Sequence, residues 1–166
     1  MSNEKDPAIL LGNLLRAHKR YLVTAESCTG GLLGHRITNI PGSSDYYLGG
    51  FISYANEAKI GWLGVKAATL AKYGAVSRET VLEKAAGARQ ILCSTHPSES
   101  IIAAAISGVA GPGGGTVEKP VGTVWIAVSS LEGSRAACYH FKGNRAAVKA
   151  QSADQAITNL IAALSL

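Results

Sequence analysis

Residues 101–115, IIAAAISGVAGPGGG, join six consecutive apolar residues to a nine-residue loop that contains five glycines. Because the apolar residues do not alternate with polar ones, both faces of this segment must be covered, as in a central strand of an α/β sheet. Glycines directly after such a strand let the backbone approach a ligand closely, although a plain connector has the same composition. The loop lacks the GxxxxGK[ST] and GxGxxG patterns, so it is neither a P-loop nor a dinucleotide fingerprint.

A second buried strand is predicted at residues 21–25, YLVTA, which lead into the turn 26–31, ESCTGG. A helix should begin after this turn, where leucines and an isoleucine recur at helical spacing. The free N–H groups and the partial positive charge of a helix start suit a phosphate or a developing oxyanion. Alternatively, Thr29 is the N-cap of this helix and Ser27 is an ordinary turn hydroxyl.

Caps and hydrophobic periodicity predict the remaining elements. Strands that are apolar throughout imply helices on both faces of the sheet, and a hairpin near the C-terminus makes that sheet mixed. We therefore expect a three-layer α/β/α sandwich with a mixed central sheet, in a single domain over residues 1–166. In chain order the further elements are a helix from Asp6–Pro7, a strand pair or a bent strand over 46–54, a helix from Ser77 to Leu92, strands over 122–129 and 136–141, and a last helix capped by Asn144.

Composition excludes several classes of protein. Hydrophobic residues make up 47% of the chain and charged residues 16%, which is typical of a globular domain. Apolar runs are far shorter than the ~18 residues of a membrane span, and no signal-peptide pattern opens the chain, so a cytoplasmic protein is expected. The formal charge of +5 favours an anionic ligand, but the basic residues are scattered and aromatic residues are only 6%, which argues against a nucleic-acid partner.

Residue types restrict the chemistry further. Three widely spaced cysteines form no CxxC pair, and no cluster has metal-ligand spacing, so neither a metal nor another cofactor is expected. No GxSxG elbow is present, and none of the four histidines has the local signature of a general base. Cys28, in the same turn as Ser27, is only a secondary candidate nucleophile, because a thiol would also need a histidine partner. Lys59 becomes a base only if the fold desolvates it near Ser27; otherwise it is a surface charge.

Five segments taken together resemble the CinA C-terminal domain family. The resemblance spans residues 7–164, in the order and spacing of the family. The segments are TAESCTGG (24–31), PGSSDYYLGGFISYANEAKIGWLGV (41–65), YGAVSRET (73–80), AISGVAGPGGGTVEKPVGTVWIAV (105–128) and FKGNR (141–145).

The resemblance implies hydrolysis of the amide of nicotinamide mononucleotide to give nicotinic acid mononucleotide and ammonia, in pyridine nucleotide salvage. It also implies a homodimer or larger homo-oligomer. Some members carry a larger nucleotide-pyrophosphatase-like domain ahead of this one, so the present chain resembles the stand-alone form. The alternative is a non-catalytic nucleotide-binding module that serves regulation, since the family is named after competence and DNA damage.

The resemblance also assigns roles to residues. Ser27 matches the nucleophile and Lys59 its base, with Tyr54 beside them. Two departures from the family's pattern are expected to alter substrate affinity: Ser107 stands where threonine is more frequent, and Asn144 replaces the acid of a GDRxxxR pattern, with Lys149 near its second arginine. The residues expected to bind the substrate are Thr29, Gly30, Gly31, Ser107, Gly111, Gly113, Gly114 and Arg145.

Overall fold

The structure, a computed structural model, describes residues 6–166 and contains one five-stranded sheet in the order β2-β1-β3-β4-β5. β1, β2 and β3 are parallel, whereas β4 and β5 extend the sheet in antiparallel fashion, which confirms the mixed sheet. The strands are β1 (Tyr21–Glu26), β2 (Tyr47–Ile52), β3 (Ile101–Gly108), β4 (Thr123–Ser130) and β5 (Gly133–His140).

Helices cover both faces of the sheet, as the apolar strands predict. α1, α2 and α6 pack together on one face, and α5 covers the other face together with α3 and α4. The three-layer α/β/α sandwich is therefore confirmed. The helices are α1 (Pro7–Ala17), α2 (Leu32–Thr38), α3 (Asn56–Leu63), α4 (Ala67–Tyr73), α5 (Arg78–Leu92) and α6 (Arg145–Leu164), with short 3-10 turns at Ser43–Asp45 and Ser98–Ser100. Among residues 6–166, no helix is both long and apolar enough to cross a bilayer.

The two hydrophobic cores explain why the central strands lack polar alternation. Along β3, Ile102, Ala104 and Ile106 belong to the core beneath α1 and α6. Ile101, Ala103 and Ala105 belong to the core beneath α5. Since side chains alternate between the faces of a strand, a strand buried on both sides must be apolar at every position.

Side-chain caps fix three helix starts at the predicted positions. The Asp6 carboxylate accepts the N–H of Ala8 at 2.9 Å, and the Ser77 hydroxyl accepts that of Thr80 at 3.2 Å. The Asn144 side chain accepts an N–H of the first turn of α6 at 2.9 Å. Asparagine therefore still caps the helix at the position where the family's pattern has an acidic residue.

Two local expectations need correction. Of the two alternatives over 46–54, the bent strand is confirmed and the strand pair is wrong. β2 is one strand whose pairing with β1 shifts at Leu48, since Leu22 pairs with Tyr47 but Val23 pairs with Gly49. An extra residue on one strand bends it, which accounts for the interrupted sequence pattern. The helix after β1 starts later than a Thr29 cap implies, because its first residue is Leu32. Residues 55–73, to which the sequence assigned no element, form α3 and α4.

Strand register determines which loops meet. Ala25 of β1 lies beside Phe51 of β2 and Ala105 of β3. The residues that follow each of these positions therefore emerge side by side at the carboxyl edge of the parallel strands, where α/β sheets bind ligands.

Candidate active site

A cavity of about 310 Å³ lies at this carboxyl edge. Its walls come from the turn after β1, the start of α3, the segment before α5, the loop after β3 and the start of α6. Predicted site residues from the turn after β1, from the segment 54–59 and from the loop after β3 therefore share one cavity with Arg145. Those lining it are Ser27, Tyr54, Lys59, Ser107, Gly111, Gly113, Gly114 and Arg145.

Ser27 and Lys59 are in direct contact within this cavity. The Lys59 ammonium lies 3.4 Å from the Ser27 Oγ and also donates to the carbonyls of Ser53 at 3.0 Å and Tyr54 at 2.8 Å. The contact arises because α3 begins directly after β2, so that its first turn folds Lys59 back over the strand end. The two side chains are 32 residues apart in the chain, yet they are in hydrogen-bond contact. Their separation is slightly longer than the ~2.6–3.2 Å of direct proton transfer, a range that catalytic hydrogen bonds often reach only when substrate is bound.

Burial changes the acid–base behaviour of Lys59. Its side chain is 1% exposed, and loss of hydration lowers its pKa, while the charges of Cys28 and Glu57 act in the opposite direction. A desolvated lysine loses its proton more readily than one in water, because the charged form is the one that hydration stabilises. The fold thus desolvates Lys59 beside Ser27, which is the condition under which the sequence predicts that Lys59 acts as a base.

Tyr54 and Arg145 form the rim of the cavity. The Tyr54 ring is 60% exposed, and its hydroxyl accepts a hydrogen bond from Arg145 at 3.1 Å. Arg145 also donates to the carbonyl of Gly111 at 2.7 Å, which ties the start of α6 to the glycine loop. Tyr54 therefore contacts Lys59 through its backbone carbonyl, and its side chain stands at the entrance.

The loop after β3 forms the opposite wall. Ser107 is buried and donates to the carbonyl of Ala75 at 2.7 Å, so its hydroxyl holds the segment ahead of α5 in place. Gly111 has a φ of +82°, and a Cβ there would lie 2.5 Å from a methyl of Val121. This turn therefore requires glycine, whereas Gly113 faces open space.

Thr29, Gly30 and Gly31 lie outside the Ser27 cavity. They line a neighbouring depression of about 390 Å³ together with His35 and Lys149. The expectation that the helix start offers free N–H groups needs correction for Gly31, whose N–H donates to the Glu26 carboxylate at 3.1 Å.

Glu26 is a buried residue whose role the sequence did not reveal. Its carboxylate accepts the N–H groups of Gly31, Leu33 and Gly34 at 2.9–3.1 Å. These bonds satisfy the first turn of α2, which has no side-chain cap of its own. Glu26 therefore acts as an internal cap that fixes the turn carrying Ser27.

Lys84 is the second residue that sequence reasoning missed. It is fully buried on α5, and its ammonium donates to the carbonyl of Ile106, next to Ser107, at 2.6 Å. Burial, followed by the charge of Lys59, lowers its pKa to about 7. The available signal was its position three residues after Val81 and four before Ala88, within the apolar stripe of α5.

The alternative catalytic groups are placed less favourably. The four histidines, all in the described range, do not line the Ser27 cavity. Cys28 does line it, but burial raises the pKa of its thiol and so opposes formation of the thiolate, which is the nucleophilic form. Within residues 6–166, no group of three or more His, Cys, Asp or Glu side chains is arranged to hold a metal ion.

Comparison with known proteins identifies the family. The CinA C-terminal domain pattern matches residues 5–164, nearly the whole chain. The chain belongs to the CinA C-terminal domain family. A solved CinA superfamily protein from Klebsiella pneumoniae superposes with a TM-score of 0.89, at 34% identity and with 96% of each chain covered.

CinA relatives of two sizes resemble the chain. "Nicotinamide-nucleotide amidohydrolase PncC" of Escherichia coli K12 is 44% identical over 153 residues, which cover 90% of this chain and 88% of that protein. A "CinA-like protein" of Thermotoga neapolitana is 44% identical over 160 residues, which cover 96% of this chain. The chain spans 37% of the length of that larger CinA relative.

Proposed function

We propose that the chain is a nicotinamide-nucleotide amidohydrolase, which converts nicotinamide mononucleotide and water to nicotinic acid mononucleotide and ammonia in pyridine nucleotide salvage. The observation that carries this proposal is the contact of 3.4 Å between the Ser27 hydroxyl and the buried Lys59 amine inside a nucleotide-sized cavity. The similarity to the Escherichia coli amidohydrolase, which extends over 88% of that protein, supports the choice of substrate. The proposal includes a cytoplasmic location and a homodimer or larger homo-oligomer, as the family resemblance implies.

In the proposed reaction, the Ser27 Oγ attacks the carbonyl carbon of the nicotinamide group. Lys59, in its amine form, accepts the hydroxyl proton and then delivers it to the departing nitrogen, so that ammonia leaves and an ester to Ser27 forms. Water, deprotonated by the same amine, hydrolyses the ester and regenerates the Ser27 hydroxyl. The lowered pKa of Lys59 favours this role, because a base must be unprotonated near the working pH.

The walls of the cavity suit the rest of the substrate. The backbone of the loop at Gly111, Gly113 and Gly114 can approach the carbonyl oxygen and the ribose closely. Arg145 at the rim offers a planar cation to the phosphate, and Tyr54 beside it offers a hydroxyl and a ring face. Lys149 in the neighbouring depression adds a second basic side chain.

Ammonia release from nicotinamide mononucleotide by the purified protein, without added metal, tests the proposal. Ser27→Ala and Lys59→Ala should each lower kcat by roughly 10³-fold or more, and the double variant should be little worse, because residues that act as one unit are not additive. Cys28→Ser is the matched control and should retain most of the activity. Full activity in Ser27→Ala would show that the nucleophile is wrong; tight binding of the nucleotide without ammonia release would favour the regulatory module.

A further inference from the structure

Two buried lysines, not one, lie at the carboxyl edge of the parallel strands. Lys59 on α3 is 1% exposed and Lys84 on α5 is 0% exposed. Lys59 binds the carbonyl of Ser53, just after β2, and Lys84 binds the carbonyl of Ile106 in β3. The proposed reaction uses Lys59 and leaves Lys84 without a role.

Strand register places the carbonyls that bind the two amines on either side of the end of β1, which leads into Ser27. Glu26 pairs with Ile52 of β2, and Ala25 pairs with Ala105 of β3, so the two carbonyls that bind the lysines flank the end of β1. Neighbouring strands are about 4.8 Å apart. Both lysines lie close enough to Cys28, the residue after Ser27, to interact with it electrostatically.

Among the residues that the structure describes, neither lysine has a carboxylate within salt-bridge distance. Among residues 6–166, the salt bridges within 4.0 Å involve arginines at other sites. Glu26 is the nearby buried carboxylate, and its oxygens are occupied by three backbone N–H groups of α2. Two buried like charges without a counter-ion repel each other, so protonation of one opposes protonation of the other.

The hydrogen-bond partners favour Lys59 over Lys84 as the holder of the first proton in the free protein. Lys59 has three acceptors, which match the three N–H bonds of an ammonium group, whereas Lys84 has one. The same order follows from electrostatics, since the charge of Lys59 together with burial lowers the pKa of Lys84 to about 7. The groups that face Lys84 are Lys59 of α3, Cys28 of the turn and Glu26 of β1.

We propose that Lys84 is a positioning residue of this site, which competes with Lys59 for one proton and, when it holds that proton, leaves Lys59 as the amine that accepts the proton of Ser27. The inference rests on the proposed function for its catalytic part. The proton sharing itself is a property of the free protein. Lys84 thereby extends activity toward lower pH, where Lys59 alone would remain an ammonium group.

The pH dependence of kcat/KM tests the catalytic part. Without Lys84, Lys59 holds its proton to higher pH. The kcat/KM of Lys84→Met at pH 6 should therefore fall about tenfold for each pKa unit of coupling between the two lysines, and above pH 9 it should match that of the wild type. Lys84→Arg keeps a permanent charge and should move the acid limb in the opposite direction, to lower pH. An equal loss at every pH is what a structural role gives, and it would overturn the proposal.

A titration without substrate tests the proton sharing directly. With ¹³C- and ¹⁵N-labelled lysine, NMR should show the Lys84 amine titrating near pH 7 in the wild type, and Lys59→Met should raise that pKa by about one unit or more. The exposed Lys72→Met on α4 is the control and should leave it unchanged. An unaltered Lys84 titration in Lys59→Met overturns the inference whatever the amidase assay gives. A coupled titration in a protein that releases no ammonia supports the sharing and refutes the proposed reaction instead.

Discussion

At the scale of single residues, the choice between Ser27 and its neighbour Cys28 depends on burial. Both side chains line the same cavity, but desolvation opposes formation of the Cys28 thiolate. A serine does not need to ionise before it attacks, provided that a base takes its proton during the attack. The Lys59 amine at 3.4 Å supplies that base, which is why the contact favours oxygen chemistry over sulfur chemistry.

Arg145 provides a prediction at the same scale. Arg145→Ala should raise KM for nicotinamide mononucleotide by about 10- to 100-fold, as expected for the loss of a charge-assisted hydrogen bond, with kcat little changed. The reason is that a phosphate contact far from the amide stabilises ground and transition states equally. Steady-state kinetics measure it, with the exposed Arg135→Ala on β5 as control. A fall in kcat at constant KM would show that Arg145 acts on the reacting amide instead.

At the scale of elements, the loop between β3 and β4 depends on one glycine conformation. Gly111→Ala should lower the free energy of unfolding by about 1–2 kcal/mol, since an L side chain is strained at a φ of +82° and its Cβ would lie 2.5 Å from a Val121 methyl. The matched control in the same loop is Gly113→Ala, whose Cβ would meet nothing within 4 Å.

Thermal unfolding of the two variants measures this difference. A loss of about 1–2 kcal/mol corresponds to a drop in Tm of roughly 2–8 °C for a chain of this size. Gly111→Ala should also lower kcat/KM, because a shift of the Gly111 carbonyl would displace the cavity wall and Arg145, which donates to that carbonyl. Equal Tm values for the two variants would show that the loop tolerates side chains at both positions.

At the scale of the whole molecule, Lys84 links stability to pH. Its pKa is about 7 in the folded chain and about 10.5 when unfolded, so between these values the unfolded state binds the extra proton. Lys84 therefore destabilises the fold fully below about pH 7, and the penalty disappears as the pH rises toward 10.5. Lys84→Met should raise the unfolding free energy by several kcal/mol at pH 6 and by much less at pH 10.

Chemical denaturation at several pH values measures this effect. The isosteric Lys84→Met keeps the apolar stem of the side chain, so packing changes little and the pH-dependent part of the difference reports the charge. The control is Lys72→Met at an exposed position of α4. Its difference from the wild type in the free energy of unfolding should not vary with pH. A pH-independent gain in Lys84→Met would show that Lys84 carries no charge cost in the folded chain.

Patterns local in the chain were sufficient for most of the fold. Caps such as Asp6, Ser77 and Asn144 bond to groups two or three residues away, so a short stretch of sequence contains all the interacting partners. The uninterrupted apolar pattern of a strand such as β3 likewise indicates that helices cover both its faces. Periodicity and capping therefore predicted the layers and most of the elements, although not α3 and α4, and the motifs indicated which turns carry the polar residues.

Contacts between distant parts of the chain were beyond such patterns. Ser27 meets Lys59 because β1 and β2 are parallel neighbours whose carboxyl ends lie side by side. A lysine at helical spacing in α5 likewise gives no sign of what its ammonium faces. The same holds for Glu26, whose carboxylate turns into the start of α2 and occupies the N–H groups expected to be free. Burial, counter-ions and pKa values are set by surroundings from several elements at once, so they exist only after the strands and helices have packed.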